Sequence, residues 1–334
     1  SGTMDIAGNT SVGGTLFTTG KATFDDAVSV SGSLHVLGGT TVVGATHLQS
    51  TVSVGGAATF ASTVTVVGDA VFTADIVKKT AGTSNFAAGV NAGDAIESGG
   101  NYNVVIGDEA GTAITTGDNN TLVGYGAGDA MTTPGNNSAL GFDALGAVTD
   151  GFQNVAIGSY AGNAITEGDN NVAVGHDALG TVSTANDNVG IGSDAGGDIS
   201  TGYHNVLVGS YAGNAITTGI NNVAVGYDAL GALTTTSGNI AIGKNTLDAG
   251  TDGIQNCIAI GYDALTALTA SGGSVGTAPS IAIGFNCMAG ASTGTNNIAI
   301  GAWAMDHTVT GSANVAIGNS AATELQGGGD NVII

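Results

Sequence analysis

From residue 85 onward, apolar residues come in short bursts of one form: Asn, apolar, small, apolar, Gly. Examples are Asn154-Val155-Ala156-Ile157-Gly158 and Asn171-Val172-Ala173-Val174-Gly175. The closing glycines are Gly89, Gly107, Gly124, Gly141, Gly158, Gly175, Gly192, Gly209, Gly226, Gly243, Gly261, Gly284, Gly301 and Gly318. They are spaced by 18, then by 17 eight times, then by 18, 23, 17 and 17. A fifteenth burst opens at Asn331, and the sequence stops inside it. Alternation over so few residues predicts one short strand per repeat. We read the first and third apolar positions as facing the interior of a coil and the middle one as facing out. After the glycine, an Ala at +3, a Leu or Gly at +4 and an aliphatic at +7 match helical spacing. This predicts one turn of helix or 3₁₀, with Asp143, Asp177, Asp194, Asp228 and Asp263 as N-caps.

A five-residue strand cannot bury its face alone, but stacked coils can, each strand pairing with its equivalents above and below. The anchor asparagines then form a ladder along the stack, and the glycines permit sharp corners. A second repeat of 12 residues precedes this one. Phe24, Val36, Leu48, Phe60 and Phe72 are in step, as are Val30, Val42, Val54 and Val66. The expected organisation is a tail over 1–9 (Ser1-Gly2 reading as a cloning scar), a β-repeat shaft over 10–77, a junction over 78–84 and a 17-residue β-roll over 85–334. The fold class is all-β: a parallel β-solenoid or β-roll with short helical turns. A β-prism or triple-β-helix-like shaft precedes it. The chain reads as a fragment that continues beyond residue 334.

With the middle residues facing out, they would line a flat apolar stripe: Ala139, Ala156, Ala173, Leu207, Ala224, Ala241, Ala299 and Ala316, with Val105, Leu122 and Ala282. Exposed stripes of that size mark interfaces. A closed cyclic oligomer about the long axis would cover it, so these residues are the expected trimer interface.

Charge narrows the partners. There are 26 acidic residues against four lysines and no arginine, a net charge of −22. Nucleic acid and anionic membranes need a basic face and are excluded. No apolar run reaches 18 residues, so no transmembrane helix is expected. The start, SGTMDIAGNT, lacks the features of a signal peptide. Two readings of the Asp excess stay open, a high-salt habitat and the suitability of Asp for tight turns. Cys257 and Cys287 fall at different phases of the repeat and are expected as buried thiols.

Stacked NVAIG units resemble the head repeats of trimeric autotransporter adhesins, and NVAIGYDAL-like arrays resemble tail and capsid fibres of phages and other viruses. There they often follow ATFASTVTVVGD-like shaft repeats. The resemblance covers about residues 10–334. It implies a parallel homotrimer on a virion surface or otherwise extracellular. The chain would be a rigid spacer that contacts a host-cell glycan or protein, and other virion proteins at its N-terminal end. The 17-residue coil is longer than usual for adhesin heads.

Little in the sequence marks chemistry. A glycosidase needs paired carboxylates at a set separation, usually in an aromatic-lined groove, and the acids here recur with the coils, as turn residues do. No enzymatic activity is expected. A polysaccharide depolymerase and a cellular trimeric surface adhesin are the alternatives. No cofactor is expected. Weak metal candidates are His35 and His47, twelve apart and in phase, and Asp118 and Asp169 at coil corners, where Ca²⁺ would be the ion. His176, His204 and His307 lack ligand spacing. Regularity breaks at the 23-residue spacing, where residues 269–280 add a segment and Ser280 replaces the anchor Asn. This makes Ser274 and Val275, with nearby Trp303 and His307, the candidate receptor contacts. The alternative is a neutral insertion with Trp303 packed in the coil.

Overall fold

The computed structural model describes residues 4–6, 22–24, 81–249, 254–267, 279–290 and 293–334. The chain divides into two units, Ser1–Val71 and Phe72–Ile334. In the first, β1 (Met4–Ile6) pairs in parallel with β2 (Ala22–Phe24), Met4 opposite Ala22. Residues 4–6, assigned to a tail from sequence, thus form a strand. Most of the 12-residue repeats, His35 and His47 among them, lie outside the described residues.

The second unit is a parallel β-solenoid. Fifteen strands, from β3 (Phe86–Ala88) to β17 (Val332–Ile333), form one sheet in strict sequence order. Like pairs with like: Val155 lies opposite Val172, Ala156 opposite Ala173 and Ile157 opposite Val174. At the usual spacing of ~4.8 Å between strands, the sheet is about 65–70 Å long.

The anchor asparagines set the geometry of every coil. Asn154 is fully buried. Its Nδ2 donates to the Gly168 carbonyl at 2.7 Å, tying the start of a coil to its end. Its Oδ1 accepts the backbone N–H of Asn171 from the next coil at 2.9 Å. The same pattern runs through Asn103, Asn120, Asn137, Asn188, Asn205 and Asn222. The Asn side chain must therefore point inward.

Period-two alternation then decides the rest of the strand. With Asn154 inward, Val155 points out, Ala156 in and Ile157 out. This corrects the facing read from sequence. Ala139, Ala156, Ala173, Leu207, Ala224, Ala241, Ala299 and Ala316 are core residues, as are Val105, Leu122 and Ala282. They cannot form an exposed interface. The outward face carries the β-branched pairs instead, such as Val155 and Ile157 or Ile240 and Ile242, which are half-buried or exposed.

The anchor glycines are obligatory. Gly158 has φ +134°, and a Cβ there would stand 2.5 Å from the Gly175 carbonyl oxygen of the next coil. Side chains essentially never occupy that combination of angle and space.

The segment after each glycine is a turn, and the described residues contain no helix. The second and fourth residues after the anchor glycine are left-handed: Asp143 and Leu145 at φ 49° and 54°, and Asp177 and Leu179 at 54° and 52°. A helix needs negative φ throughout, so Asp143, Asp177, Asp194, Asp228 and Asp263 are not N-caps. Within this turn, short local bonds (Ile165 N–H to Gly162 O, 3.1 Å) alternate with bonds to the next coil (Gly162 N–H to Ala178 O, 2.9 Å). The +3, +4 and +7 side chains still reach the core: Ala144, Leu145 and Val148 are all buried.

The core is filled by complementary volumes. Where the +4 residue is Leu or Met, as at Leu145, Leu179, Leu230, Met288 and Met305, the middle strand residue is Ala. Where the middle residue is large, as at Val105, Leu122 and Leu207, the +4 residue is Gly111, Gly128 or Gly213. A Cβ on Gly196 would lie 2.7 Å from Leu207 Cδ1 and 2.8 Å from Leu179 Cδ2.

The sheet crosses the 23-residue spacing in register, with Ile258 opposite Ile281. In the ladder, Cys257 and Ser280 stand in the Asn position. Cys257 still donates its N–H to Asn239 Oδ1 at 2.9 Å, and Ser280 Oγ accepts from Asn297 N–H at 3.4 Å. Cys257 and Cys287 are buried thiols that form no disulfide, and burial pushes each up to about 11.

Candidate functional site

Two surface features stand out from the regular coil, and both follow from the corner geometry. The first is a column of rings just past the sheet. The residue one or two places after the anchor glycine is aromatic in many coils, and parallel stacking brings these rings together. Tyr125 and Phe142 stack with centroids 5.3 Å apart and planes 11° apart. Phe142 meets Tyr160 edge-on at 5.2 Å, and Tyr160 meets His176 at 6.1 Å. A second run begins with Tyr211 and Tyr227 at 5.9 Å. Lys244 then takes the aromatic place, its Nζ 5.5 Å from the Tyr227 centroid and 5.7 Å from that of Tyr262. Cation–π attraction of this kind is worth ~0.5–1 kcal/mol at exposed sites. Tyr262, Phe285 and Trp303 complete the run at 5.4 and 5.2 Å.

Beside this column lies the second feature, the outward face of the sheet. Ile157, Ile191, Ile242, Ile300 and Ile317 are each more than a third exposed. The Val/Ile columns and the two runs of rings are the apolar part of this surface, interrupted by Thr121 and Ser138 in the sheet and by Ser193 and Asp194 between the runs. Apart from Lys244, no residue of this surface is a lysine, and the chain has no arginine.

Of the receptor-contact candidates, Trp303 is 41% exposed and ends the aromatic run against Phe285. It is thus packed on one ring and open on other sides. His307 is exposed, its Nδ1 2.9 Å from Asp306 Oδ1. Ser274 and Val275 lie outside the described residues. The calcium candidates serve as turn residues. Asp118 Oδ1 accepts Asn101 N–H at 2.6 Å, and Asp169 Oδ1 accepts Phe152 N–H at 2.7 Å. Among the described residues, no three His, Cys, Asp or Glu side chains gather where they would hold a metal ion. No helix among them is long and apolar enough to cross a membrane.

Sequence reasoning missed the aromatic column. Its signal was present: Tyr, Phe, His or Trp recurs within two residues of most anchor glycines. It also missed a pocket at the opposite end of the strand, where Asp187, Tyr203 and His204 meet.

The fold defines the class: a parallel β-solenoid built on stacked Asn and Gly ladders. No family model matches the chain, and no curated protein or solved structure matches it.

Proposed function

We propose that the chain is a rigid spacer of an extracellular attachment fibre, assembled as a parallel homo-oligomer through its Val/Ile face. The carrying observation is that face. It is about 65–70 Å long and on the order of 10–15 Å wide, hence on the order of 700–1,000 Å², similar to the ~800 Å² per partner of a standard interface. Its pitch repeats with every coil, so the surface that matches it along its whole length is a second copy in parallel register. A net charge of −22 keeps the remaining surfaces apart. The resemblance to virion fibres and adhesin heads supports three copies and a role in host attachment. The role is structural and adhesive rather than enzymatic. Host-cell glycan or protein would be the far partner and other virion proteins the near one.

A pair of neighbouring substitutions tests this. Val174→Asp places a charge on the outward face and Ala173→Asp places one in the core. The first should yield folded chains of lower mass, and the second should unfold the coil. Val174→Asp chains that keep the wild-type assembly would refute the proposed interface.

A further inference from the structure

We propose that the pocket between Asp187, Tyr203 and His204 binds one neutral sugar unit of a glycan. The pocket opens where the chain enters the strand Val206–Val208, at the opposite end of that strand from the aromatic column. It is about 280 Å³ and is lined by Thr184, Asn186, Asp187, Thr201, Tyr203 and His204. That is just below the usual range of ligand sites, which suits one ring rather than a large ligand.

Its walls carry the chemistry that sugars need. The Tyr203 ring, 43% exposed, meets the His204 imidazole at 4.9 Å and 87°. Two flat surfaces at right angles offer an apolar corner to the C–H face of a sugar. His204 Nε2 lies 3.4 Å from Asp187 Oδ2, and both side chains remain about half exposed, at 53% and 46%. Two threonine hydroxyls, an amide, a carboxylate and an imidazole therefore surround one aromatic platform, able to accept and to donate toward hydroxyl groups.

The backbone holds these groups in place. Asp187 and His204 are both left-handed, at φ 57° and 59°. The His204 N–H donates to Asn186 O at 3.3 Å, and Asn186 Oδ1 accepts the Asp169 N–H at 2.7 Å. At the same two positions, other coils carry Asp118-Asn119, Gly135-Asn136, Phe152-Gln153, Asp169-Asn170 and Ile220-Asn221. Among the described coils, this pair of positions brings an aromatic, an imidazole and a carboxylate together between Asn186-Asp187 and Tyr203-His204. The ligand is neutral because no lysine or arginine lines the pocket, while a carboxylate does, on a chain of net charge −22. An anionic sugar would meet repulsion.

The inference concerns a lateral site and stands apart from self-association. The test is saturation-transfer NMR on the assembled protein with a panel of neutral hexoses, N-acetylhexosamines and their short oligomers at millimolar concentration. At least one should bind, and Tyr203→Ala should weaken it about tenfold or more. Asp187→Asn and His204→Ala should weaken it less. Tyr102→Ala, an exposed tyrosine in the column of His204, should leave binding intact. The mass of each variant is measured alongside, so that loss of assembly is told from loss of the site. Three results would overturn the proposal: no binding by any neutral saccharide, binding unchanged in Tyr203→Ala, or preference for an acidic saccharide or a peptide.

Discussion

Asn171 donates its backbone N–H to Oδ1 of Asn154, 2.9 Å away in the coil before it, while its own Nδ2 reaches Ala185 O at 2.8 Å. One side chain thus joins two coils and closes its own. Removing it leaves buried donors and acceptors on both sides without partners. Asn171→Ala should cost about 1–3 kcal/mol, read as a lower denaturant midpoint. Glu167→Ala, four residues away at an exposed position with ordinary backbone angles, tests the specificity of the effect: a loss as large as that of Asn171→Ala would contradict the ladder's role.

The corner glycines separate two penalties. Gly175 and Gly318 share φ +134°. A Cβ on Gly175 would lie 2.5 Å from Gly192 O, whereas on Gly318 the nearest atom is Ala321 Cβ at 3.8 Å. Both alanine variants should be destabilised by the backbone angle, at about 1–3 kcal/mol. Gly175→Ala should lose clearly more, and equal losses would mean that close approach between coils plays no part.

Volume exchange in the core gives a third test. Leu179→Ala should cost about 2–5 kcal/mol. A Cβ on Gly190 would fall 2.8 Å from Leu179 Cγ and equally close to the Ala195 carbonyl oxygen, so Gly190→Ala alone overpacks the site, and only the side-chain part of that clash is open to relief. Combined with Leu179→Ala it should be less harmful than the sum. Additive losses would show that the two residues do not share one space.

Asp248 gives the chain a pH dependence. Burial, then Asp228 and Asp263, raise its carboxyl from 3.8 to about 6. The folded state therefore binds this proton more tightly than the unfolded one. Its contribution to stability rises as pH falls through about 6 and is complete below about 4. Asp248→Asn should be more stable than wild type at neutral pH, with the difference shrinking toward pH ~4. Thermal midpoints of the two proteins across that range decide it. A variant less stable at neutral pH would contradict the assignment.

The solenoid was legible because repeats impose like-on-like stacking, and the columns of Asn154 and Gly158 are plain in the sequence. The orientation of the strand was not. Val155 and Ile157 are the more apolar pair, so they were placed inside, yet the buried bonds of Asn154 fix the opposite parity. The helical turn failed for another reason. Side chains at +3, +4 and +7 converge on the core whether φ stays negative or alternates in sign. Nothing in the residue type of Leu145 announces φ 54°. Trp303 and His307 stand out by lying near the 23-residue spacing, but Tyr203 and His204 sit far from any break in spacing.

The central claim is that the face of Val155, Ile157 and their equivalents is covered by further copies of the chain. Light scattering after size exclusion, at micromolar concentration, measures this directly. The account predicts a mass near three times the chain's 31.9 kDa, unchanged on moderate dilution. A single species at the monomer mass, still folded, would contradict it.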